Sequence, residues 1–187
     1  MSDKSELRRA ALAARDAVSM TARIEASIAL ADHAEALEVE PGQTVAAYWP
    51  IRSEIDPRPL LFALHERGAR MALPVVVGDD IAFRELTRTS ELEPAGFGTM
   101  GPTAGAAEAR PDLILAPLAG FDGAGNRLGY GRGFYDRAIE ALRATGLAPR
   151  LVGLAHSAQR LDAIPAEPHD VPLDAVLTER GYERFVR

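Results

Sequence analysis

LILAPLAGFDGAGNRLGYGRGFYDRAIEALRA, residues 113–144, is the stretch whose reading decides the fold. It opens on Leu113 to Leu118, a short apolar run of the kind that forms a buried strand. It closes on a helix running from about Phe134 to Ala144. Between them lies the most informative segment of the chain, Arg127-Leu128-Gly129-Tyr130-Gly131-Arg132-Gly133-Phe134-Tyr135-Asp136. Three glycines alternate with Tyr130 and Arg132, so backbone N–H groups can turn toward one point, and the helix N-terminus that follows adds partial positive charge there. Arg127 and Arg132 supply planar, permanently charged donors suited to phosphate oxygens. The segment reads as a phosphate cradle, with a flexible strand-to-helix tether as the competing reading. It matches neither common cradle: no Gly-x-x-x-x-Gly-Lys-Ser/Thr occurs, and Leu128 and Phe134 break the Gly-x-Gly-x-x-Gly spacing.

Working outward, residues 3–17 have the Ala, Leu and Arg content of a helix. Ser19 is placed to cap a second helix, in which Ile24, Ile28 and Ala31 share a face. Glu40-Pro41-Gly42 ends that segment, and Thr44 to Trp49 is a short strand stopped by Pro50. Asp56-Pro57 starts a third helix and Gly68 closes it. Arg70 to Val77 reads as a strand in which Pro74 signals an edge or a bulge. Gly78-Asp79-Asp80 turns into a strand over Ile81 to Leu86. From Thr87 to Pro111 the composition shifts to that of a long surface loop. Leu151 to Ala155 and Ala175 to Thr178 complete the strands. Strands alternating with helices predict a single three-layer α/β domain with a largely parallel central sheet flanked by helices, Rossmann-like in kind. Such sheets bind ligands beyond the carboxyl ends of their strands, where the glycine segment leaves Leu118.

The chain has 187 residues, enough for one well-buried domain. Its 47% apolar and 26% charged content is that of a globular protein. With no cysteine, disulfides, thiolate metal sites and a cysteine nucleophile are excluded, and a reducing compartment is suited. The charged start, Met1-Ser2-Asp3-Lys4-Ser5-Glu6, is no signal peptide, and no apolar run approaches the ~18–20 residues of a membrane span. These features predict a cytoplasmic protein that engages no membrane. A net charge of −6 argues against general nucleic-acid binding but not against an anionic small ligand. Surface charge is screened beyond ~8 Å, and a few local arginines outweigh it.

Several further residues carry two readings each. Lys4 and Arg8, four apart, project from one helix face, either toward a ligand or, with Arg15, as a solvated basic stripe. Trp49, the only tryptophan, ends a buried strand and suits core packing or ligand stacking. Glu54 follows in the loop, as an exposed acid or a substrate-reading carboxylate. Asp136 in the first helical turn complements the helix dipole, or holds Mg²⁺ beside bound phosphates. Asp170 is a candidate second acid. His156 and His169 lack a nucleophile partner and read as structural.

Together these residues resemble the 5-formyltetrahydrofolate cyclo-ligase family, also called methenyltetrahydrofolate synthetase. The resemblance begins with Lys4-Ser5-Glu6-Leu7-Arg8 and continues through Tyr48-Trp49-Pro50 and Glu54. Its strongest block is Asp112 to Pro117, Phe121-Asp122, and Gly125 to Arg137, and it closes with Pro165 to Asp170 and Thr178-Glu179. It implies an enzyme using Mg²⁺ and ATP to convert 5-formyltetrahydrofolate to 5,10-methenyltetrahydrofolate, releasing ADP and phosphate. The implied route phosphorylates the formyl oxygen, after which N10 attacks intramolecularly. Lys4, Arg8 and Arg127 through Tyr135 (Arg127, Leu128, Gly129, Tyr130, Gly131, Arg132, Gly133, Phe134 and Tyr135) are implied to bind ATP. Trp49, Glu54 and the stretch Tyr130 to Phe134 are implied to face the folate, and Asp136 and Asp170 to hold magnesium. Arg132 is the candidate for stabilising the transition state. The expected partners are the two substrates alone, on a monomer; a non-catalytic nucleotide- or folate-binding protein on the same fold is the rival reading. The chain departs from the family at Met100-Gly101-Pro102, where relatives often carry Glu-Pro, which removes a carboxylate from the 96–102 loop. It also carries Arg132 where Gly or Lys is common, preserving or adding positive charge.

Overall fold

The computed structural model describes residues 3–186. Asp3 caps α1 (Lys4–Asp16), its carboxylate accepting the Ser5 N–H. Ser19 caps α2 (Met20–Asp32), accepting the Ala22 N–H at 3.2 Å. The side of α2 that packs inward differs from the expected one. Ile24 and Ile28 are each 56% exposed, while Ala26, Ser27 and Leu30 are buried. The small residues let α2 lie close to the 51–57 segment, where the Ser27 hydroxyl accepts the Asp56 N–H at 2.9 Å. Asp56 in turn accepts the Arg58 N–H at 2.9 Å to start α3 (Arg58–Glu66), and Gly68 leaves that helix at φ +92°.

The central sheet comprises β1 (Thr44–Ala46), β2 (Arg70–Val77), β3 (Asp80–Leu86), β6 (Leu113–Pro117), β9 (Arg150–Leu154), β10 (Ala175–Thr178) and β11 (Gly181–Arg184). Their spatial order is β11-β10-β9-β6-β1-β2-β3, parallel throughout except for the antiparallel edges β3 and β11. The fold is therefore the mostly parallel, helix-flanked α/β architecture expected. Side chains alternate across the sheet. Val45, Leu113, Leu115, Val152, Leu154 and Leu177 form one core with α2 and α3. Ala46, Ile114, Ala116, Leu151 and Val176 form the other, with Ala138 and Ile139 of α4 (Phe134–Ala144). The sheet is closely covered there: a Cβ on Gly153 would lie 2.5 Å from Leu118 Cδ1.

Three local expectations are corrected. Pro74 sits in an interior strand with an unbroken register against β3, not at an edge or bulge. β1 pairs only with Arg70–Ala72, so Pro74 lies past its end and its missing N–H deprives no neighbour on that side. The 87–111 segment is not purely a surface loop: β4 (Leu92–Pro94) and β5 (Met100–Pro102) form an antiparallel hairpin, which lies against β2. A second hairpin, β7 (Gly120–Phe121) with β8 (Arg127–Leu128), intervenes between β6 and the glycine segment. Its turn is held by the buried Asp122 carboxylate, which accepts the N–H groups of Ala124, Asn126 and Ile164. Among the described residues no helix is long and apolar enough to cross a membrane.

Candidate active site

Gly133 precedes α4 in the left-handed region at φ +65°, and no side chain caps the helix. The first-turn amides of α4 thus have an N-terminus suited to an anion. Gly131, at φ +87°, is likewise in a conformation that a side chain would strain. The flanking charged residues are paired with each other. Arg127, only 7% exposed, donates from Nη2 to Asp136 Oδ1 at 2.7 Å, and the Val171 N–H reaches the same oxygen at 3.0 Å. Arg127 Nη1 is buried with no hydrogen-bond partner among the described residues. A buried donor of this kind is costly unless a ligand or water claims it.

Helix α1 lies across this loop, and its cations are not a solvated stripe. Lys4 Nζ meets Asp170 Oδ2 at 2.7 Å and Glu167 Oε2 at 3.2 Å. Burial alone would lower the Lys4 pKa, but hydrogen bonds to Asp170 and Glu167 outweigh it and raise the value. Burial likewise favours neutral Asp170, yet Lys4 and the Glu167 N–H hold its pKa below the ordinary range. Arg8 Nε donates to the Gly129 carbonyl at 2.7 Å. Arg15, two turns further on, is 2% exposed. Its Nη1 donates to the Tyr130 hydroxyl at 2.6 Å and its Nε to Ser53 Oγ at 2.9 Å.

Glu54 and Trp49 stand at the carboxyl end of β1. The Tyr130 hydroxyl donates to Glu54 Oε1 at 2.5 Å, and the Ile51 N–H to Oε2 at 2.9 Å. Burial pushes the Glu54 pKa up, and the Tyr130 hydrogen bond offsets this only in part. Burial also raises the Tyr130 and Tyr135 hydroxyls, reinforced by the Glu54 charge, so both phenols are neutral donors at pH 7. The Trp49 ring has the Arg58 guanidinium 5.1 Å from its centre, and its carbonyl accepts the Thr99 hydroxyl. Thr99 follows the tip of the β4–β5 hairpin. At that tip, Phe97 stacks under the Arg132 guanidinium at 4.0 Å and meets Phe134 at 5.5 Å.

One cavity of about 700 Å³ joins all these segments. Lys4, Arg8, Trp49, Glu54, every residue from Arg127 to Asp136, and Asp170 line it together. Leu128 contributes to the wall while 98% of its surface is packed in the core (2% exposed). Candidate metal-ligating atoms are present: carboxylate oxygens of Glu167 and Asp170 and a ring nitrogen of His169 lie within 4.8 Å of one another. Asp136 is not in that group; its Oδ1 accepts from Arg127. Hard carboxylate oxygens suit Mg²⁺, and Asp136, Asp170 and Glu167 supply them on the cavity wall. His156 is buried away from this lining, and burial lowers its pKa.

A sequence profile of the 5-formyltetrahydrofolate cyclo-ligase family matches residues 1–179. The chain belongs to this family. It is 36% identical to the 5-formyltetrahydrofolate cyclo-ligase of Mycolicibacterium smegmatis, covering 95% of this chain and 94% of that protein. It is 34% identical to the Escherichia coli enzyme of the same name over 72% of this chain and 77% of that one. The solved structure of Aquifex aeolicus 5,10-methenyltetrahydrofolate synthetase superposes with a TM-score of 0.77 at 31% identity, covering 98% and 93% of the two chains. That of the Mycoplasma pneumoniae 5,10-methenyltetrahydrofolate synthetase gives 0.75 at 26% identity, covering 95% and 99%. The chain is therefore a cyclo-ligase-family enzyme acting in folate chemistry.

Position 101 leaves little room for a side chain. A Cβ at position 101 would lie 2.8 Å from Val75 Cγ1, 3.0 Å from Ala95 Cβ and 3.1 Å from the Pro74 carbonyl. The hairpin has closed onto β2 where a side chain would stand. Other lining residues escaped the sequence reading: Arg52, Phe97, Thr99, Glu167, and His169 in a lining role. Phe97 carried a usable signal, since a large aromatic between Gly96 and Gly98 is placed for exposure at a turn. Glu167, adjacent to the Asp170 motif, carried another.

Proposed function

We propose that this enzyme couples ATP to ring closure of 5-formyltetrahydrofolate, giving 5,10-methenyltetrahydrofolate, ADP and phosphate. The observation that carries this reading is the shared cavity. Two basic residues of α1, an uncapped helix N-terminus behind a glycine-rich loop, and oxygen ligands for magnesium open onto the same space as Trp49 and Glu54. An ATP site alone would not require the second half.

The chemistry explains the residue types. A formamide oxygen is a poor leaving group, so N10 cannot displace it unaided. Transfer of the γ-phosphoryl group to that oxygen breaks the bond to ADP and leaves an iminium phosphate. N10 of the same folate then adds to the formyl carbon, its proton passes to solvent, and phosphate departs with the oxygen. The protein's share is positioning and charge stabilisation, with no nucleophile of its own. Lys4, Arg8 and Arg127 bind the triphosphate in this reading, with the amides of Gly129 to Tyr135 and the wall residue Leu128. Arg132 reaches the transferring phosphoryl group. Trp49 and Glu54 orient the folate. Asp136 and Asp170 hold Mg²⁺, which when bound neutralises phosphate charge. The unit acts as one domain and a monomer in a reducing cytoplasm.

The test is a single mixture of enzyme, Mg·ATP and 5-formyltetrahydrofolate, followed by methenyl absorbance and ADP release. Both should rise in step, and EDTA should stop both. Folate binding without either product would replace this reading with a non-catalytic binding protein.

A further inference from the structure

Arg15 has no part in the reaction as set out above, yet its environment is unusual for a charge. It is 2% exposed and lines the cavity from α1. A buried guanidinium is tolerated only where its donors are taken. Here they go mainly to two hydroxyls, Ser53 Oγ and the Tyr130 oxygen. The nearest anion on its own helix, Asp16, lies 3.8 Å from Nε and accepts the Ser53 proton.

Arginine has no acceptor, which fixes the direction of the chain of hydrogen bonds. The Tyr130 oxygen accepts from Arg15, so its single proton is directed to Glu54 Oε1. Because Oε2 accepts from Ile51, both oxygens of Glu54 are used, and the carboxylate cannot rotate without losing a bond. Tyr130 itself is 42% exposed in a glycine-rich loop. Among the described residues, the hydrogen bonds of its hydroxyl run to Arg15 and Glu54.

We infer that Arg15 is a positioning residue which, by anchoring the Tyr130 hydroxyl, holds Glu54 in its orientation toward the folate. This rests on the proposed function, which assigns Glu54 to that substrate. The Tyr130 backbone amide, assigned above to the triphosphate, is a different group from its hydroxyl, and α1 meets the nucleotide end through other side chains, Lys4 to Asp170 and Arg8 to Gly129. Loss of Arg15 therefore affects one substrate and spares the other, which a general loss of structure would not do.

The experiment compares wild type, Arg15→Met, Arg15→Lys, Tyr130→Phe and the Arg15→Met/Tyr130→Phe double variant. Quenching of Trp49, the only tryptophan, reports 5-formyltetrahydrofolate binding, and calorimetry reports Mg·ADP binding. Arg15→Met and Tyr130→Phe should each weaken folate binding roughly 10- to 100-fold, the range for one charge-assisted hydrogen bond. The double variant should be no worse than either single one, Arg15→Lys should recover part of the loss, and Mg·ADP affinity of Arg15→Met should be unchanged. Unchanged folate affinity in a folded Arg15→Met protein overturns the inference, as does an equal loss for both ligands. Should Arg15→Met fail to fold, Tyr130→Phe decides, and wild-type folate affinity there overturns it. Absence of folate binding by the wild type, or its indifference to Glu54→Ala, removes the reading of the site and this inference with it. Binding by wild type that needs Glu54 but not Arg15 or the Tyr130 hydroxyl removes the inference alone.

Discussion

Replacing Asp136 with Asn separates the metal assignment from a structural role, because the structure makes the two losses unequal. Asp136 neutralises Arg127, whose side chain is 7% exposed and whose Nη1 already lacks a partner. Breaking a fully buried ion pair by removing one member costs about 3–5 kcal/mol, largely for the charge left behind. Asp136 is 24% exposed, and an Asn carbonyl can still accept from Nη2, so the expected loss is about 2–3 kcal/mol. For a chain of this length that lowers Tm by about 4–12 °C. Arg127→Met leaves instead a carboxylate with solvent access and the Val171 N–H, costing about 1–2 kcal/mol. The double variant, with neither charge, should be more stable than the sum of the single losses by at least about 1 kcal/mol. Reversible urea unfolding of all four proteins measures this cycle, and titration with Mn²⁺ in the presence of ADP measures the metal site in parallel. Asp136→Asn should lose metal affinity as well as stability. Additive stabilities, or an Asp136→Asn protein within about 0.5 kcal/mol of wild type, would refute the claim that Asp136 is the counter-charge of a buried arginine.

Three other outcomes are expected. Arg132→Ala should lower kcat by about 100-fold or more while changing KM for ATP far less; steady-state kinetics with an unchanged kcat would take Arg132 out of the transition state. Glu54, whose pKa is raised chiefly by burial, binds its proton more tightly folded than unfolded. Its contribution to stability is therefore full below the unfolded carboxylate pKa and lost as pH rises through the raised value. The Tm of Glu54→Gln minus that of wild type should grow more positive between about pH 4 and about pH 8, and a flat difference would show Glu54 to be unshifted. Introducing an acid with Gly101→Glu should be resisted sterically. Its Cβ meets Val75, Ala95 and the Pro74 carbonyl at 2.8–3.1 Å, a strain of about 1–3 kcal/mol. Amide exchange over residues 92–102 should accelerate, and undiminished protection there would mean the hairpin has room.

What could be read from sequence divides along the range of the interactions. The β6, glycine segment and α4 unit was legible because strand run, glycine spacing and helix start are all local. So were the cap at Ser19 and the start of α3 after Asp56-Pro57, although the N-cap residue is Pro57 rather than Asp56. Periodicity located an apolar row on α2 but could not say whether it was covered; Ala26, Ser27 and Leu30 face inward instead, and Ile24 and Ile28 face solvent. The β4–β5 hairpin was hidden because three-residue strands ending in Pro94 and Pro102 carry no periodic signal. In the site, the residue types were legible and their pairings were not. Arg15 looked like its solvated neighbours because the hydroxyl that buries it lies 115 residues away. The same limit hid how the charges lining the cavity are paired. Lys4 and Arg127, the proposed phosphate cations, are paired with Asp170 and Asp136, the proposed metal acids. On that reading ATP competes with those carboxylates for the two cations, and a metal competes with the cations for the two carboxylates. Each ligand supplies the charge the other displaces, so their binding should be mutually favourable, a coupling that follows from the ion pairs rather than from any residue alone.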